Sequence, residues 1–129
     1  MTLAKLGTAG ILALLASSVM ADEITGDAAK GEKVFRKCKA CHAVGEDAKN
    51  KVGPLLNGIV DREAASEADF TYSPAMEQAA ADGLVWTAGQ LDAFLEKPKE
   101  IVDGTKMSFA GLRKEQDRAN VIAYLATFN

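Results

Sequence analysis

The chain has 129 residues, enough for one ordinary domain, with 48% apolar and 26% charged residues, the balance of a folded globular protein. Its net charge of −3 argues against a general nucleic-acid binder. With 2 cysteines and 1 histidine it excludes a four-ligand zinc finger and a disulfide-rich scaffold, and leaves little for a catalytic triad.

Residues 1–21 read as a secretory signal peptide rather than as part of the fold. Lys5 supplies a positive start, Gly10 to Ala16 is apolar, and Val19-Met20-Ala21 offers a cleavage site. The apolar run is well short of the ~20 residues that span a bilayer. Cleavage after Ala21 leaves a mature domain, Asp22–Asn129, of 108 residues with net charge −4. An uncleaved segment would tether the same domain to a membrane. Export implies the periplasm, where cysteines can be oxidised.

Asp27 is placed to cap a first helix whose Gly31, Val34, Phe35 and Cys38 fall on one face. Gly31 in mid-helix costs about 1 kcal/mol against alanine, which points to close approach of a neighbour. Residues 43–72 lack sustained periodicity and read as an ordered loop. Ser73-Pro74 starts a short helix through about Ala81, ended by Asp82-Gly83. Thr87 and Gln90 make a capping box ahead of Leu91, Phe94 and Leu95, and that helix ends near Lys97-Pro98. Residues 98–112 read as a second loop. The last helix starts near Lys114 and carries an apolar stripe of Val121, Ile122, Tyr124, Leu125 and Phe128. No segment alternates with period two long enough to predict a strand.

The chemistry is carried by Cys38-Lys39-Ala40-Cys41-His42, placed at the end of the first helix. Cys-x-x-Cys-His is the attachment signature of c-type haem. Two thiols one helical turn apart can add to the two vinyl groups of a porphyrin, and the following histidine then offers a nitrogen to iron. A thioredoxin-like pair would instead follow a strand. A disulfide across so short a loop would add little stability. A zinc site lacks ligands. For the sixth iron position the mature chain offers two thioethers, Met76 and Met107. Met76 sits in a short helix and reads as core packing. Met107 sits in a loop 65 residues after His42, and is the favoured ligand. Histidine plus methionine ligation raises the reduction potential and suits electron transfer.

From here the sequence resembles a class I c-type cytochrome, similar to the mitochondrial type and most similar to the bacterial cytochrome c2 group. The likeness covers residues 26–129 and rests on Gly31 and Phe35, the Cys38–His42 motif, Gly53-Pro54, Phe70-Thr71-Tyr72, Trp86 and Pro98. It continues through Gly104-Thr105-Lys106-Met107, Phe109-Ala110-Gly111 and Ile122-Ala123-Tyr124-Leu125. The resemblance implies an all-α fold, with three main helices plus short helices and loops wrapped around one covalent haem. It implies covalent haem c on Cys38 and Cys41, with His42 and Met107 as iron ligands. It also implies that the Pro54 carbonyl accepts a hydrogen bond from the second nitrogen of His42, and that Tyr72 and Trp86 bond an inner propionate with Arg62 nearby. Gly31 and Phe35 pack against Val121 and Tyr124. Two positions depart from the mitochondrial pattern. Phe94 replaces a tyrosine that bonds the methionine sulfur, and Met76 replaces an asparagine of the inner polar network. The segment from Met76 to Trp86 is a few residues longer.

The function so implied is that of a soluble, monomeric periplasmic one-electron carrier, not an enzyme. Its partners would be a cytochrome bc1 complex and a terminal oxidase or photosynthetic reaction centre, with no nucleic acid. A ligand-binding haem protein or peroxidase would need an open sixth position, and a dithiol oxidoreductase would carry no covalent haem. Charge along the chain is uneven. Residues 33–42 carry +4, residues 97–114 carry +3 and residues 61–96 carry −7. This predicts a basic docking face around Lys37, Lys39, Lys51, Lys99, Lys106 and Lys114 with an acidic back.

Overall fold

A computed structural model describes residues 23–129 together with Gly7 and residues 10–13. The expected leader therefore lies for the most part outside the described residues. Five helices are present among the described residues: α1 Ala28–Phe35, α2 Pro74–Ala81, α3 Ala88–Glu96, α4 Pro98–Ile101 and α5 Glu115–Ala126. None is long and apolar enough to cross a membrane.

Three of the helices begin on a side-chain cap. The Asp27 carboxylate accepts from the Lys30 amide at 3.1 Å and caps α1. Ser73 accepts from the Met76 amide at 3.1 Å, with Pro74 in the first turn of α2. Thr87 accepts from the Gln90 amide at 3.2 Å at the start of α3. Helix α3 stops at Lys97, whose backbone leaves the helical region (φ −146°, ψ 83°) ahead of Pro98. The proline then opens α4, a single turn that the sequence reading had assigned to loop. Proline is as good a helix start as it is a helix stop, and a run of four residues carries no periodicity to reveal it.

Helices α1 and α5 cross at contact distance. A Cβ on Gly31 would run into the Asn120 carbonyl and the Tyr124 Cβ, and one on Gly26 would run into the Ala119 carbonyl. The resemblance sets Gly31 and Phe35 against Val121 and Tyr124; Tyr124 meets both, and Gly31 also lies against the Asn120 carbonyl. Phe35 packs against Tyr124 with the rings tilted and their centroids 5.5 Å apart, and Phe35 and Val121 are among the most buried side chains. The Asn120 side chain accepts from the Asp27 amide at 2.9 Å, tying the start of α1 to α5.

The region 43–72 is an ordered loop, as its glycines and proline predict. One strand-like contact inside it was not foreseen. Glu63 and Val85 form an isolated antiparallel bridge, flanked by Asp61 N–H to Trp86 O, Trp86 N–H to Arg62 O and Ala64 N–H to Leu84 O at 2.8, 2.8 and 2.9 Å. The end of the segment between Met76 and Trp86 thus folds back on residues 61–64. A single bridge is too short to show as period-two alternation.

A haem-sized crevice built on the Cys-x-x-Cys-His turn

Helix α1 ends at Phe35, so the motif follows the helix rather than ending it. Residues 36–42 continue as tight turns, with Cys38 N–H to Phe35 O at 2.8 Å, Cys41 N–H to Cys38 O at 3.1 Å and His42 N–H to Cys38 O at 2.9 Å. These bonds fix both thiols and the imidazole on a rigid stub. No disulfide joins Cys38 and Cys41 among the described residues. Burial, and next the neighbouring Cys41, push the Cys38 thiol above its ordinary value. A dithiol oxidoreductase needs the opposite, a thiol made acidic by its surroundings.

His42 is oriented from below. Its Nδ1 lies 2.7 Å from the carbonyl oxygen of Pro54. A carbonyl can only accept, so Nδ1 carries the proton and Nε2 keeps a lone pair. Burial holds the imidazole below its ordinary pKa, outweighing the opposing effect of the Pro54 bond, so the ring is kept neutral as a metal ligand requires. A Cβ on Gly53 would collide with the His42 ring, so only glycine lets the 51–54 backbone pass beneath it. Gly53 N–H also donates to Cys41 O at 2.8 Å.

Above this stub opens a cavity of about 870 Å³. Packed interiors contain few voids larger than a water molecule, and ligand pockets run to roughly 300–1,000 Å³. Every site residue expected from the sequence lines it: Cys38, Cys41, His42, Pro54, Arg62, Tyr72, Trp86 and Met107. They come from the α1 stub, the 43–72 loop, the turn before α3 and the loop after α4. Phe94, buried against Trp86 with ring centroids 4.8 Å apart, and Met76 complete the apolar wall. Met76 packs against the core, as its place in a short helix predicts, and also lines the crevice.

The residues fit a flat, apolar, dicarboxylate cofactor. Arg62 Nε is buried without a hydrogen-bond partner, a donor that needs an acceptor within the crevice. Arg62 Nη1 donates to Asn57 O at 2.8 Å and to Glu67 Oε2 at 3.3 Å. The Tyr72 oxygen accepts from the Glu67 amide at 2.9 Å, which leaves its own O–H proton free to donate. Burial pushes the Tyr72 phenol above its ordinary value, so it stays a donor.

Two groups on this scaffold escaped the sequence reading. Glu67 lies in a segment with no periodicity and carries no signal of its own. Arg118 is buried and donates to Asp92 Oδ1 at 2.7 Å and to the Leu112 and Arg113 carbonyls at 2.9 and 3.0 Å. It falls three and four residues before Val121 and Ile122, on the apolar stripe of α5, and a charge in that register was the available clue.

The family model described as Cytochrome c matches residues 28–129. The chain belongs to the cytochrome c family. A cytochrome c2 of Agrobacterium tumefaciens is 54% identical over 100 residues, spanning 78% of this chain and 90% of that protein. A cytochrome c2 of Rhodomicrobium vannielii is 53% identical over 102 residues, spanning 79% of each. The solved cytochrome c2 of Rhodospirillum centenum superposes with a TM-score of 0.77 at 44% identity, covering 80% of this chain and 98% of that one. The fold is therefore the all-α cytochrome c fold. The cofactor is haem c, one per chain, joined through thioethers at Cys38 and Cys41. As a cytochrome c the protein is a haem electron carrier rather than an enzyme.

Proposed function

We propose that the protein is a soluble periplasmic carrier that takes single electrons from a cytochrome bc1-type complex and delivers them to a terminal oxidase or photosynthetic reaction centre. The observation that carries this reading is the 2.7 Å contact of His42 Nδ1 with the Pro54 carbonyl, which presents a neutral Nε2 from the Cys38–Cys41 stub. Haem bound there supplies a one-electron ferric/ferrous couple. His42 would hold the iron from the stub, and Met107, on the loop after α4, would be its second protein ligand. Pro54 fixes the imidazole and raises its basicity. Arg62, Tyr72 and Trp86, which line the crevice, would receive the carboxylate side chains of the macrocycle. The apolar wall of Phe35, Trp86, Phe94, Val121 and Leu125 excludes water, which lowers the cost of moving one electron. Cleavage after Ala21 frees the monomeric domain into the periplasm.

Lys37, Lys51 and Lys106 are exposed on the crevice rim and support a basic docking face there. Lys39, Lys99 and Lys114 are also exposed. The Lys51 ammonium donates to the Lys39 carbonyl at 2.5 Å, so it stiffens the motif turn as well as charging the rim.

The test is a spectrum. Ferric protein with His42 and Met107 on iron has a methionine-to-iron absorption band, and Met107→Ala removes it while Met76→Ala retains it. Loss of the band on Met76→Ala alone would overturn the ligand assignment. A bound-ligand spectrum with added cyanide in the unaltered protein, formed at once and at low concentration, would mean an open sixth position and a ligand-binding role.

A further inference from the structure

Arg62 and Tyr72, the two polar side chains assigned to the cofactor carboxylates, share a third partner that belongs to neither the crevice wall nor a helix. Glu67 touches both, through its Oε2 at 3.3 Å from Arg62 Nη1 and through its amide at 2.9 Å from the Tyr72 oxygen. The pair is mostly shielded from water, with 21% of the Arg62 side chain and 18% of the Glu67 side chain exposed. At that burial a unit charge is felt over a longer range than at the surface.

The geometry leaves Arg62 uncommitted. Charge-assisted N–H···O bonds ordinarily close to about 2.7–2.9 Å, and this one is longer. Both of the Arg62 bonds leave from Nη1, one to Asn57 and one to Glu67, while Nε is buried and unspent. The Arg62 backbone cannot drift, because Trp86 N–H holds its carbonyl at 2.8 Å. The flanking loop holds its shape at some cost, with Asp61, Ala65 and Asp69 all in the left-handed region. A guanidinium pinned at its root and loosely held at its tip can divide its charge between two carboxylates.

We propose that Glu67 is a positioning residue for Arg62, setting how much of its charge reaches the cofactor carboxylates and thereby lowering the reduction potential. This rests on the reading that those carboxylates lie against Arg62. Two effects act in the same direction. The Glu67 charge itself favours the ferric state, which carries one more positive charge than the ferrous. By drawing on Arg62 it also leaves the cofactor carboxylate less neutralised, which favours ferric again.

The test is protein film voltammetry of the haem-loaded protein at fixed pH and salt, with three single variants. Glu67→Gln keeps an acceptor for Arg62 and the amide bond to Tyr72 but removes the charge, and should raise the potential. Asp69→Asn removes an equal charge from a residue that lines the crevice directly, in a loop conformation asparagine tolerates. It should raise the potential less than Glu67→Gln, because Asp69 makes no bond to Arg62. Arg62→Met should lower it. An unchanged or lowered potential in Glu67→Gln overturns the proposal. So does a shift no larger than that of Asp69→Asn, since charge count alone would then suffice. If Arg62→Met also leaves the potential unmoved, the placement of the cofactor carboxylates against Arg62 is what has failed.

Discussion

Gly31 of α1 sits directly over the carbonyl of Asn120 in α5, with no room for a Cβ between them. The two helices therefore cross backbone to backbone, and the obstruction is a carbonyl that cannot swing aside as a flexible side chain would. Gly31→Ala gains intrinsic helix propensity but forces the helices apart. The clash should win, for a net destabilisation of about 1–3 kcal/mol. Thermal unfolding monitored by circular dichroism checks this, and a melting temperature equal to or above the parent's would contradict it.

Haem should complete the core. Leu56, Met76, Leu95, Met107 and Phe109 line the crevice and are only partly buried by the chain itself, so without the macrocycle this apolar surface has little to pack on. A domain of this size has only about 5–15 kcal/mol of stability to lose. Cys41→Ala or His42→Ala should leave a chain with much reduced helix content. Near-native helicity with a cooperative melt in haem-free protein would refute this.

How much of this was legible in the sequence depends on whether a signal was local. The caps at Asp27, Ser73 and Thr87 announce their helices because the capping bond spans three residues. Cys38–His42 announces the cofactor because its chemistry needs that spacing. Gly53 against the His42 ring and Gly31 against Asn120 are contacts across the fold, and only a family pattern made those glycines stand out. The bridge of Glu63 with Val85, the turn of α4 and the partnership of Glu67 with Arg62 have no pattern of their own. They arise because tertiary packing brings distant or aperiodic residues together.

Arg118 holds the end of the Met107 loop. Its guanidinium spans Asp92 on α3 and the Leu112 and Arg113 carbonyls, while Leu112 N–H donates to Leu95 O at 2.7 Å. Arg118→Met fills the same space but abandons those carbonyls, one of them in a buried bond. We expect a loss of about 2–4 kcal/mol by chemical denaturation. Asp92→Asn should cost less, ~1 kcal/mol or below, because the Asp92 side chain is 41% exposed and water can replace its charge. Equal losses from the two would show that the ion pair, not the carbonyl clamp, carries the stability.

Phe94 should tune the potential by what it lacks. It is buried against Trp86 and lines the crevice together with Met107. A hydroxyl there can donate to the Met107 sulfur, drawing electron density from iron and favouring the ferrous form. Phe94→Tyr should raise the potential modestly in film voltammetry. An unchanged or lower value would mean that the added hydroxyl bonds elsewhere, with the crevice wall or with trapped water.

Electron delivery should depend on which face carries the charge. The segment around the haem attachment carries +4 over residues 33–42 and the segment around Met107 carries +3 over residues 97–114, against −7 over residues 61–96. Lys37, Lys51 and Lys106 stand on the rim of the crevice, where a cofactor edge would emerge. A field of this kind turns the carrier during encounter, so it acts on the association rate and fades as salt screens it over about 10 Å at 0.1 M. Lys99→Glu and Lys106→Glu should therefore slow electron transfer to an acidic partner, and slow it more at low ionic strength than at high. Asp82→Lys adds charge of the favourable sign, but at an exposed position following α2 and within the acidic segment. It should change the rate little. Stopped-flow rates across a salt series decide the matter. Equal effects from Lys106 and Asp82, or rates that climb steadily with added salt, would place the docking site away from the basic rim.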